Sequence, residues 1–419
     1  MKYSFAHNSW YGRAPVEVNL PDDWEVTECR MPADDMPEMT FKKLRQVLDS
    51  PVGTKTIREL AIGKKDVCII FDDMSRGTPC ADIAHLILED LEAAGIEKRH
   101  IRFICALGSH GTCTREDFVR KLGEDIVRQY AVFNHNPFQN CGFVGKTSGG
   151  IELYINDEVM KCDLKIGIGS ISPHPVNGFG GGGKLLMVGC GGIDTIDQLH
   201  KASMRCIIEN HMAFADCPGN WALDGMRKEI EEAVQITGFD FKIDAILNSD
   251  CRIVACTAGD PVAEHAKGAE ISARLNTSPT HPQDMDVVIA NANVKANEAS
   301  IAFMIARQVL KNSGGAIVLI DEIPTGQVVH QYAGAAGYYT GGKAFSGIRD
   351  RLPDVETKIL LSPYPDVQSA ISFGDDRAIT FAENWDQALT LLQAYGPGTK
   401  AALLTDATIM AFPSAEATR

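Results

Sequence analysis

Residues 67–79 read VCIIFDDMSRGTP, and this stretch sets the fold class that we predict. Val67–Phe71 is a short, continuously apolar run that is rich in β-branched residues, which is typical of a buried parallel strand. A polar loop follows it, and a helical pattern then runs from about residue 81 to residue 94. Because a strand, a loop and a helix make half of a β-α-β unit, we predict an α/β protein.

The same pattern recurs along the chain. Ile101–Leu107 and Leu164–Ile168 are further predicted strands, and Thr114 with Asp117 predicts an approximate capping box at the start of a helix. A polar, proline-bearing segment at 276–282 precedes a second alternation of strands and helices. We therefore predict two α/β domains, residues 1–275 and 276–419, with an active-site cleft between them and the last residues able to pack back on the first domain.

The composition excludes some classes of protein. The 419 residues carry a net charge of -15, which disfavours binding to nucleic acid. The first residues lack the apolar core of a secretory signal, and no apolar run reaches the ~18 residues that span a membrane. The 12 cysteines are scattered without a C-x-x-C pair, so we expect reduced thiols and a cytoplasmic location. The sequence leaves the oligomeric state open.

Reactive side chains follow three of the predicted strands. Asp73 and Arg76 come after the first, His110 after the second and His174 after the third. The carboxyl ends of strands in an open α/β sheet meet at one edge, so these groups are expected to share a site. Two opposed histidines suit racemisation chemistry. The plainer alternatives are structural, hydrogen-bonded histidines, and an Arg76 that either forms a buried ion pair or grips a carboxylate.

The third loop leads into a glycine run. Residues 168–200 read IGSISPHPVNGFGGGGKLLMVGCGGIDTIDQLH, and they contain literal matches to GxGxxG and GxxxxGK. Leu185 follows Lys184 where a phosphate-binding loop needs Ser or Thr, and no tight strand-to-helix turn precedes the run, so the context opposes both motifs. Lys184 is either an ordinary surface lysine on a flexible loop, a phosphate counter-charge or a covalent anchor. His200 can bind a metal if it faces the cleft.

These residues together resemble the nickel-dependent lactate racemase family. The run from His174 through the glycines to Lys184, followed by His200, is similar to that family's signature. Upstream, the segments Asp72-Asp73-Met74-Ser75-Arg76 and Gly108-Ser109-His110 are similar to its Asp-Asp-x-[Ser/Thr]-Arg and Gly-Thr-His loops. The resemblance covers most of residues 60–210. It departs from the pattern at Gly180, where the family has Ser, and at Leu199, where it has Asn.

The resemblance implies a nickel pincer nucleotide as cofactor, that is, nickel bound to a pyridinium-3,5-bisthiocarboxylate mononucleotide. It implies that Lys184 links the cofactor covalently and that His200 is the metal ligand. His110 and His174 would be the acid/base pair, and Arg76 would polarise the substrate oxygen while hydride passes to the cofactor and back. Proteins that make the cofactor are implied as partners. The implied cofactor contacts are Asp73, Met74, Ser75, Arg76, Gly180, Gly181, Gly182 and Lys184.

The second half departs further from the family. Lactate racemases hold the substrate carboxylate with a Tyr-Gln-x-x-Lys segment, whereas residues 291–299 here read NANVKANEA and place Ala299 at the Lys position. We therefore expect a different, larger or more hydroxylated 2-hydroxy acid. Asn293, Asn297 and the neighbouring Glu298 would suit such an acid. The predicted substrate-binding residues are Asn293, Lys295 and Asn297.

The function that the sequence predicts is a racemase or epimerase that inverts C2 of a small 2-hydroxy acid. Two alternatives stay open, an NAD-dependent 2-hydroxy acid dehydrogenase and a non-catalytic carrier of the nickel cofactor.

Overall fold

The computed structural model describes the chain except for residues 8–9, 13, 213–216, 222, 333–336, 338–351, 353, 374–377 and 414–419. In chain order, the described strands are β1 (Lys2–Phe5), β2 (Val16–Asn19), β3 (Glu25–Cys29), β4 (Val67–Asp72), β5 (Ile101–Ala106), β6 (Ala131–Asn134), β7 (Cys141–Lys146), β8 (Glu152–Asn156), β9 (Leu164–Ser170), β10 (Pro173–His174), β11 (Gly178–Phe179), β12 (Phe241–Leu247), β13 (Ile253–Gly259), β14 (Val287–Asn291), β15 (Ala316–Ile320), β16 (Thr357–Leu361), β17 (Thr380–Ala382) and β18 (Lys400–Leu404). The described α-helices are α1 (Phe41–Asp49), α2 (Ile57–Ala61), α3 (Ala81–Ala93), α4 (Arg115–Leu122), α5 (Glu124–Gln129), α6 (Asp157–Met160), α7 (Lys184–Met187), α8 (Ile193–Glu209), α9 (Asp224–Thr237), α10 (Ala263–Leu275), α11 (Ser300–Arg307), α12 (Val367–Ser372) and α13 (Trp385–Leu391).

The first large sheet has the strand order β13-β12-β9-β4-β5-β6. Its neighbouring strands run parallel, except that β12 and β13 are antiparallel. Every residue of β4 and of β12 is buried, as expected for strands that are covered on both faces. Helix α4 begins at the predicted residue because Thr114 and Asp117 form a reciprocal capping box. The predicted α/β class is confirmed.

The second large sheet has the order β17-β16-β15-β14-β18-β3, and all its neighbouring strands run parallel. Its central strands β14 and β15 are apolar and fully buried. Its edge strand β3 comes from the beginning of the sequence and pairs with β18, so that Glu25 lies opposite Lys400. The predicted boundary at residue 275 and the cleft between the halves stay predictions.

The strand order reverses once in each sheet. In the first sheet the chain steps outward from β4 through β5 to β6, and β9, β12 and β13 lie on the other side of β4. In the second sheet β15, β16 and β17 follow β14 on one side, and β18 lies on its other side. Ligands of open α/β sheets bind outside the carboxyl ends of the strands at such a reversal. The loops after β4, β9, β14 and β18 are therefore where a site is expected.

A continuous apolar core joins the two sheets. It includes Ile69 of β4 and Leu319 of β15, which are both fully buried. Close packing also joins the loops: a Cβ on Gly77, after β4, would lie 2.8 Å from Cγ1 of Val294, after β14. The two loops that carry the expected site residues are thus held against each other.

Two bulk features of the chain bear on the cell biology. All twelve cysteines are free thiols, as predicted. Within the described part of the chain, no helix combines the length and the apolar character that crossing a membrane requires.

Candidate active site

Two adjacent carboxylates at the end of β4, those of Asp72 and Asp73, bind different partners. Asp72 accepts hydrogen bonds of 2.6 Å from Nζ of Lys121 and from Oγ1 of Thr78, and all three residues are buried. Asp73 instead lies 2.6 Å from Nδ1 of His110, in the loop after β5. Asp72 therefore braces the loop against helix α4, and Asp73 serves the candidate site.

Contact with Asp73 sets the charge of His110. Burial alone would lower the pKa of this imidazole, but the Asp73 carboxylate outweighs burial and raises the pKa above its ordinary value. Burial disfavours the charged form of Asp73, but the charge of His110 holds the pKa of Asp73 well below the usual range. Because Nδ1 is bound to the carboxylate, Nε2 is the nitrogen that His110 presents to the site.

The stretch after β9 forms a small hairpin. Strands β10 and β11 pair antiparallel, with His174 opposite Gly178, and helix α7 begins at Lys184. This hairpin differs from the tight strand-to-helix turn of a dinucleotide site. It brings Nζ of Lys184 to 2.6 Å from Nε2 of His174.

This pair is partly buried and lies in a positively charged environment. Burial lowers the pKa of His174 well below its ordinary value, and the positive charge of Arg76 lowers it further. Burial also lowers the pKa of Lys184 well below its ordinary value, and the nearby guanidinium of Arg76 adds to the shift. The surroundings therefore favour an uncharged imidazole and an uncharged amine.

The glycine run fits closely against the protein itself. The amide of Gly182 donates a 2.6 Å hydrogen bond to Oδ2 of Asp244, and Nε2 of His265 donates a 2.9 Å bond to the carbonyl of Gly180. Gly182 has a φ of 61°, and a Cβ there would lie 2.8 Å from the His265 ring. The run is therefore held in place by fixed partners. Contact of Gly180, Gly181 and Gly182 with a cofactor stays a prediction.

Asp244 belongs to a charged group beneath the glycine run. Asp244 and Lys242 form an ion pair on strand β12, and both side chains are 0% exposed. Glu264 lies beside them and accepts a 2.9 Å hydrogen bond from Oγ1 of Thr257. Burial raises the pKa of Glu264, and the charge of Asp244 raises it further. The single lysine thus offsets one carboxylate, and the environment favours the protonated form of the other.

The hydrogen bonding of His200 resembles that of a metal-binding histidine. Its Nδ1 donates a 2.7 Å hydrogen bond to the carbonyl of Ile196, one turn earlier in α8, so Nε2 carries the lone pair. Burial lowers its pKa to about 4, and the charge of Lys184 contributes to that shift. The ring of Tyr332 lies 4.7 Å from the ring of His200.

A glutamate of the second half completes the electrostatics of the site. Glu298 forms an ion pair with Arg76 through Oε2, and its Oε1 lies 3.5 Å from Nε2 of His110. The charge of Arg76 lowers the pKa of Glu298 in spite of burial. Arg76 thus forms a partly buried ion pair, and its contact with a substrate carboxylate stays a prediction.

The three predicted substrate residues have different surroundings. Burial and the charge of Arg76 lower the pKa of Lys295 to about 7, and Lys295 and Arg76 line the same narrow cavity. Asn293 donates a 2.8 Å hydrogen bond to the carbonyl of Ser249 and so has a bracing contact. The buried Oδ1 of Asn297 lacks a hydrogen-bond partner among the described residues.

Sequence reasoning named Glu298 beside the substrate residues but missed its partner and several other members of the site. The contact of Glu298 with Arg76 joins distant segments of the chain and leaves no local signal. His330, whose Nε2 lies 3.6 Å from Oε1 of Glu298, and Tyr332 belong to a segment without a motif. The glycine run was a weak sequence signal for His265, because such a run indicates that another group packs closely against the backbone. Met74 is partly exposed beside the buried Asp73.

Comparison with known proteins identifies relatives. Residues 11–212 match the model of the lactate racemase N-terminal domain. The lactate racemase of Thermoanaerobacterium thermosaccharolyticum is 26% identical over 362 residues, which are 84% of this chain and 80% of that protein. The lactate racemase of Lactiplantibacillus plantarum is 29% identical over 303 residues, or 70% of this chain and 67% of that protein.

Solved structures share the fold. The lactate racemase apoprotein of T. thermosaccharolyticum superimposes with a TM-score of 0.73 at 19% identity, over 99% of this chain and 100% of that one. A protein from Thermotoga maritima gives a TM-score of 0.66 at 16% identity, over 90% of this chain and 100% of that one.

Proposed function

Because residues 11–212 match the lactate racemase N-terminal domain and two lactate racemases are similar to the chain, we propose that it is a racemase or epimerase that inverts C2 of a 2-hydroxy acid. The observation that carries the proposal is the opposite pKa shift of two histidines. His110 follows β5 and His174 follows β9, the two strands that flank β4. The pKa of His110 is raised and that of His174 is lowered. Surroundings that separate two pKa values in this way suit one acid and one base.

The proposed roles follow from these charges. Uncharged His174 accepts the proton of the 2-hydroxyl group in one direction, and protonated His110 donates a proton to the 2-oxygen for the opposite configuration. Nη1 of Arg76 donates hydrogen bonds to Ser75 and Glu298. Its other donors, Nη2 and Nε, would therefore bind a substrate oxygen. Asp73 and Glu298 hold His110 and Arg76 in these orientations.

We propose that the cofactor is a nickel pincer nucleotide, and the residues fit it. A buried amine with a lowered pKa is in the form that makes a covalent bond, which supports Lys184 as the anchor. A His that donates its other ring N–H to a backbone carbonyl is typical of a metal ligand, which supports His200. Such a cofactor, held by Lys184 and His200, would supply reversible hydride acceptance from C2. The requirement for this cofactor makes cofactor-biosynthesis proteins the proposed partners, and the free thiols favour a cytoplasmic location.

We propose a substrate other than lactate. The Tyr-Gln pair of lactate racemases is missing, and Lys295 is a buried cation beside the cavity that Arg76 lines. Lys295 is thus suited to pair with the substrate carboxylate. The unsatisfied Oδ1 of Asn297 would accept a hydrogen bond from a further hydroxyl group. Both features favour a longer, more hydroxylated 2-hydroxy acid.

The test is inversion of configuration in deuterated water. The full chain is produced together with the cofactor pathway, and a panel of chiral 2-hydroxy acids is followed by polarimetry and proton NMR. We expect inversion with retention of the hydrogen at C2, because a hydride that returns from the cofactor does not exchange with solvent. Deuterium at C2 would overturn the hydride route. Full activity of His110→Ala or of His174→Ala would overturn the acid/base roles.

The same assay separates the two alternatives. A dehydrogenase would reduce added NAD, which absorbance detects, and would produce a 2-keto acid in place of the mirror image. A carrier of the cofactor would bind nickel and invert none of the acids in the panel.

A further inference from the structure

Three side chains converge at the Arg76–Glu298 ion pair, and one of them, His330, has no role in the proposed reaction. They are His110, Glu298 and His330, and one ligand atom from each lies within 4.8 Å of the others. Oε1 of Glu298 is 3.5 Å from Nε2 of His110 and 3.6 Å from Nε2 of His330. Two ligands about 2.0–2.1 Å from a tetrahedral zinc ion lie roughly 3.3 Å apart, so only small shifts separate this arrangement from coordination.

We infer that His110, Glu298 and His330 form a second metal site that takes a divalent ion of the zinc class. Two His and one Glu are the protein ligands of a common type of open zinc site. This site is distinct from the metal position proposed at His200, and it does not depend on the proposed function.

The neighbours of the three ligands favour metal binding. Nδ1 of His110 is bound to Asp73, which is the carboxylate–histidine arrangement that orients metal-ligating imidazoles and leaves Nε2 for the ion. Arg76 occupies Oε2 of Glu298, which leaves Oε1 directed to the two imidazoles. Asp73 and Arg76 therefore orient two of the three ligands, and an ion at the site would replace the proton on Nε2 of His110.

The backbone fixes the segment that supplies His330. The amide of Val328 donates a 2.8 Å hydrogen bond to the carbonyl of Asn297, next to Glu298. The amide of Gln331 donates a 2.6 Å bond to the carbonyl of Ser109, next to His110. The segment that carries the third ligand is thus attached to both segments that carry the other two. An ion at this site would link the two halves and would occupy the nitrogen that His110 uses in the proposed reaction.

The site can be tested without the cofactor. The full chain, produced without the cofactor pathway, is titrated with zinc chloride by isothermal calorimetry, and the bound metal is counted by mass spectrometry after dialysis. We expect one zinc ion per chain. His330→Gln should weaken binding by at least about 100-fold, since it removes a ligand. The side chain of His330 is 48% exposed, so this variant should fold, which thermal melting checks.

Two controls locate the ion. His200→Gln should leave zinc binding unchanged, and a loss of binding in this variant would move the ion to the His200 position and overturn the inference. His85→Gln is the matched control, because His85 is another partly exposed histidine, 2.7 Å from the carboxylate of Asp125. Zinc affinity of His330→Gln equal to that of His85→Gln would overturn the site.

Discussion

The amine of Lys184 lies 2.6 Å from Nε2 of His174, ten residues earlier, and the two side chains meet across the hairpin of β10 and β11. This contact puts the proposed anchor of the cofactor against the proposed base. Burial and the surrounding positive charges lower the pKa of both groups, so each favours its uncharged form.

Loss of the anchor should abolish covalent loading. For Lys184→Ala made with the cofactor pathway, we expect no adduct by intact-mass spectrometry, whereas the parent chain should gain the mass of one cofactor, because only an uncharged amine attacks the cofactor. The matched control is Lys201→Ala, since Lys201 pairs with Asp197 in the same helix as His200 and should leave loading intact. An adduct on Lys184→Ala would assign the anchor to another residue.

The pH dependence of inversion should reveal the effect of Asp73 on His110. In the folded chain the pKa of His110 is raised, so the acid form persists to a higher pH than for an ordinary histidine. Asp73→Asn removes the charge that raises this pKa and leaves burial, which lowers it. The alkaline limb of the activity profile should therefore move to lower pH, with at least about a tenfold loss of rate at pH 8.

The control for this profile is a carboxylate that pairs with a histidine elsewhere. Asp125→Asn removes the carboxylate partner of His85 in an exposed pair, and it should not move the profile. An unchanged alkaline limb in Asp73→Asn would show that another group titrates there.

The ion pair beneath the glycine run should matter for stability. Asp244→Ala leaves the fully buried Lys242 without its partner, and breaking a buried pair from one side costs about 3–5 kcal/mol in the free energy of unfolding. Urea denaturation followed by circular dichroism measures this loss. Asp250→Ala, which breaks the exposed 3.9 Å pair with Arg252, should leave the midpoint nearly unchanged. Equal midpoints for both variants would contradict the prediction.

Two glycines of the run should respond differently to a side chain. A Cβ at Gly180 would have its nearest neighbours at 3.7 and 3.8 Å, so Gly180→Ser should fold with an unchanged melting temperature. Gly182→Ala should lower the free energy of unfolding by about 1–2 kcal/mol because of the left-handed backbone. The overlap with His265 should lower it by about 1–3 kcal/mol more. Thermal melting of the two variants decides the matter, and a Gly180→Ser that melts as early as Gly182→Ala would be the contrary result.

Local signals explain what the sequence could predict. The strands Ala316–Ile320 and Lys400–Leu404 read as apolar runs, and the capping box of Thr114 marks the start of α4 within a few residues. Asp73, Arg76 and His110 were predictable because the carboxyl ends of parallel strands share one edge of the sheet.

Contacts between distant segments explain what it could not predict. The strand Glu25–Cys29 is mostly polar in sequence, and nothing local indicates that it would pair with β18. The approach of Glu298 and His330 to His110 joins segments that are far apart in the chain. Such proximity comes from the packing of the two sheets and not from the spacing of residues.

The pairing of β3 with β18 also has a consequence for biosynthesis. The ribosome makes Glu25–Cys29 long before it makes their partner Lys400–Leu404. Strand β3 must therefore wait unpaired while the first sheet forms, because pairing over so long a separation is slow. A nascent chain that stalls before β18 would carry an open edge on β14 as well, and would be expected to need a chaperone to keep it from aggregating.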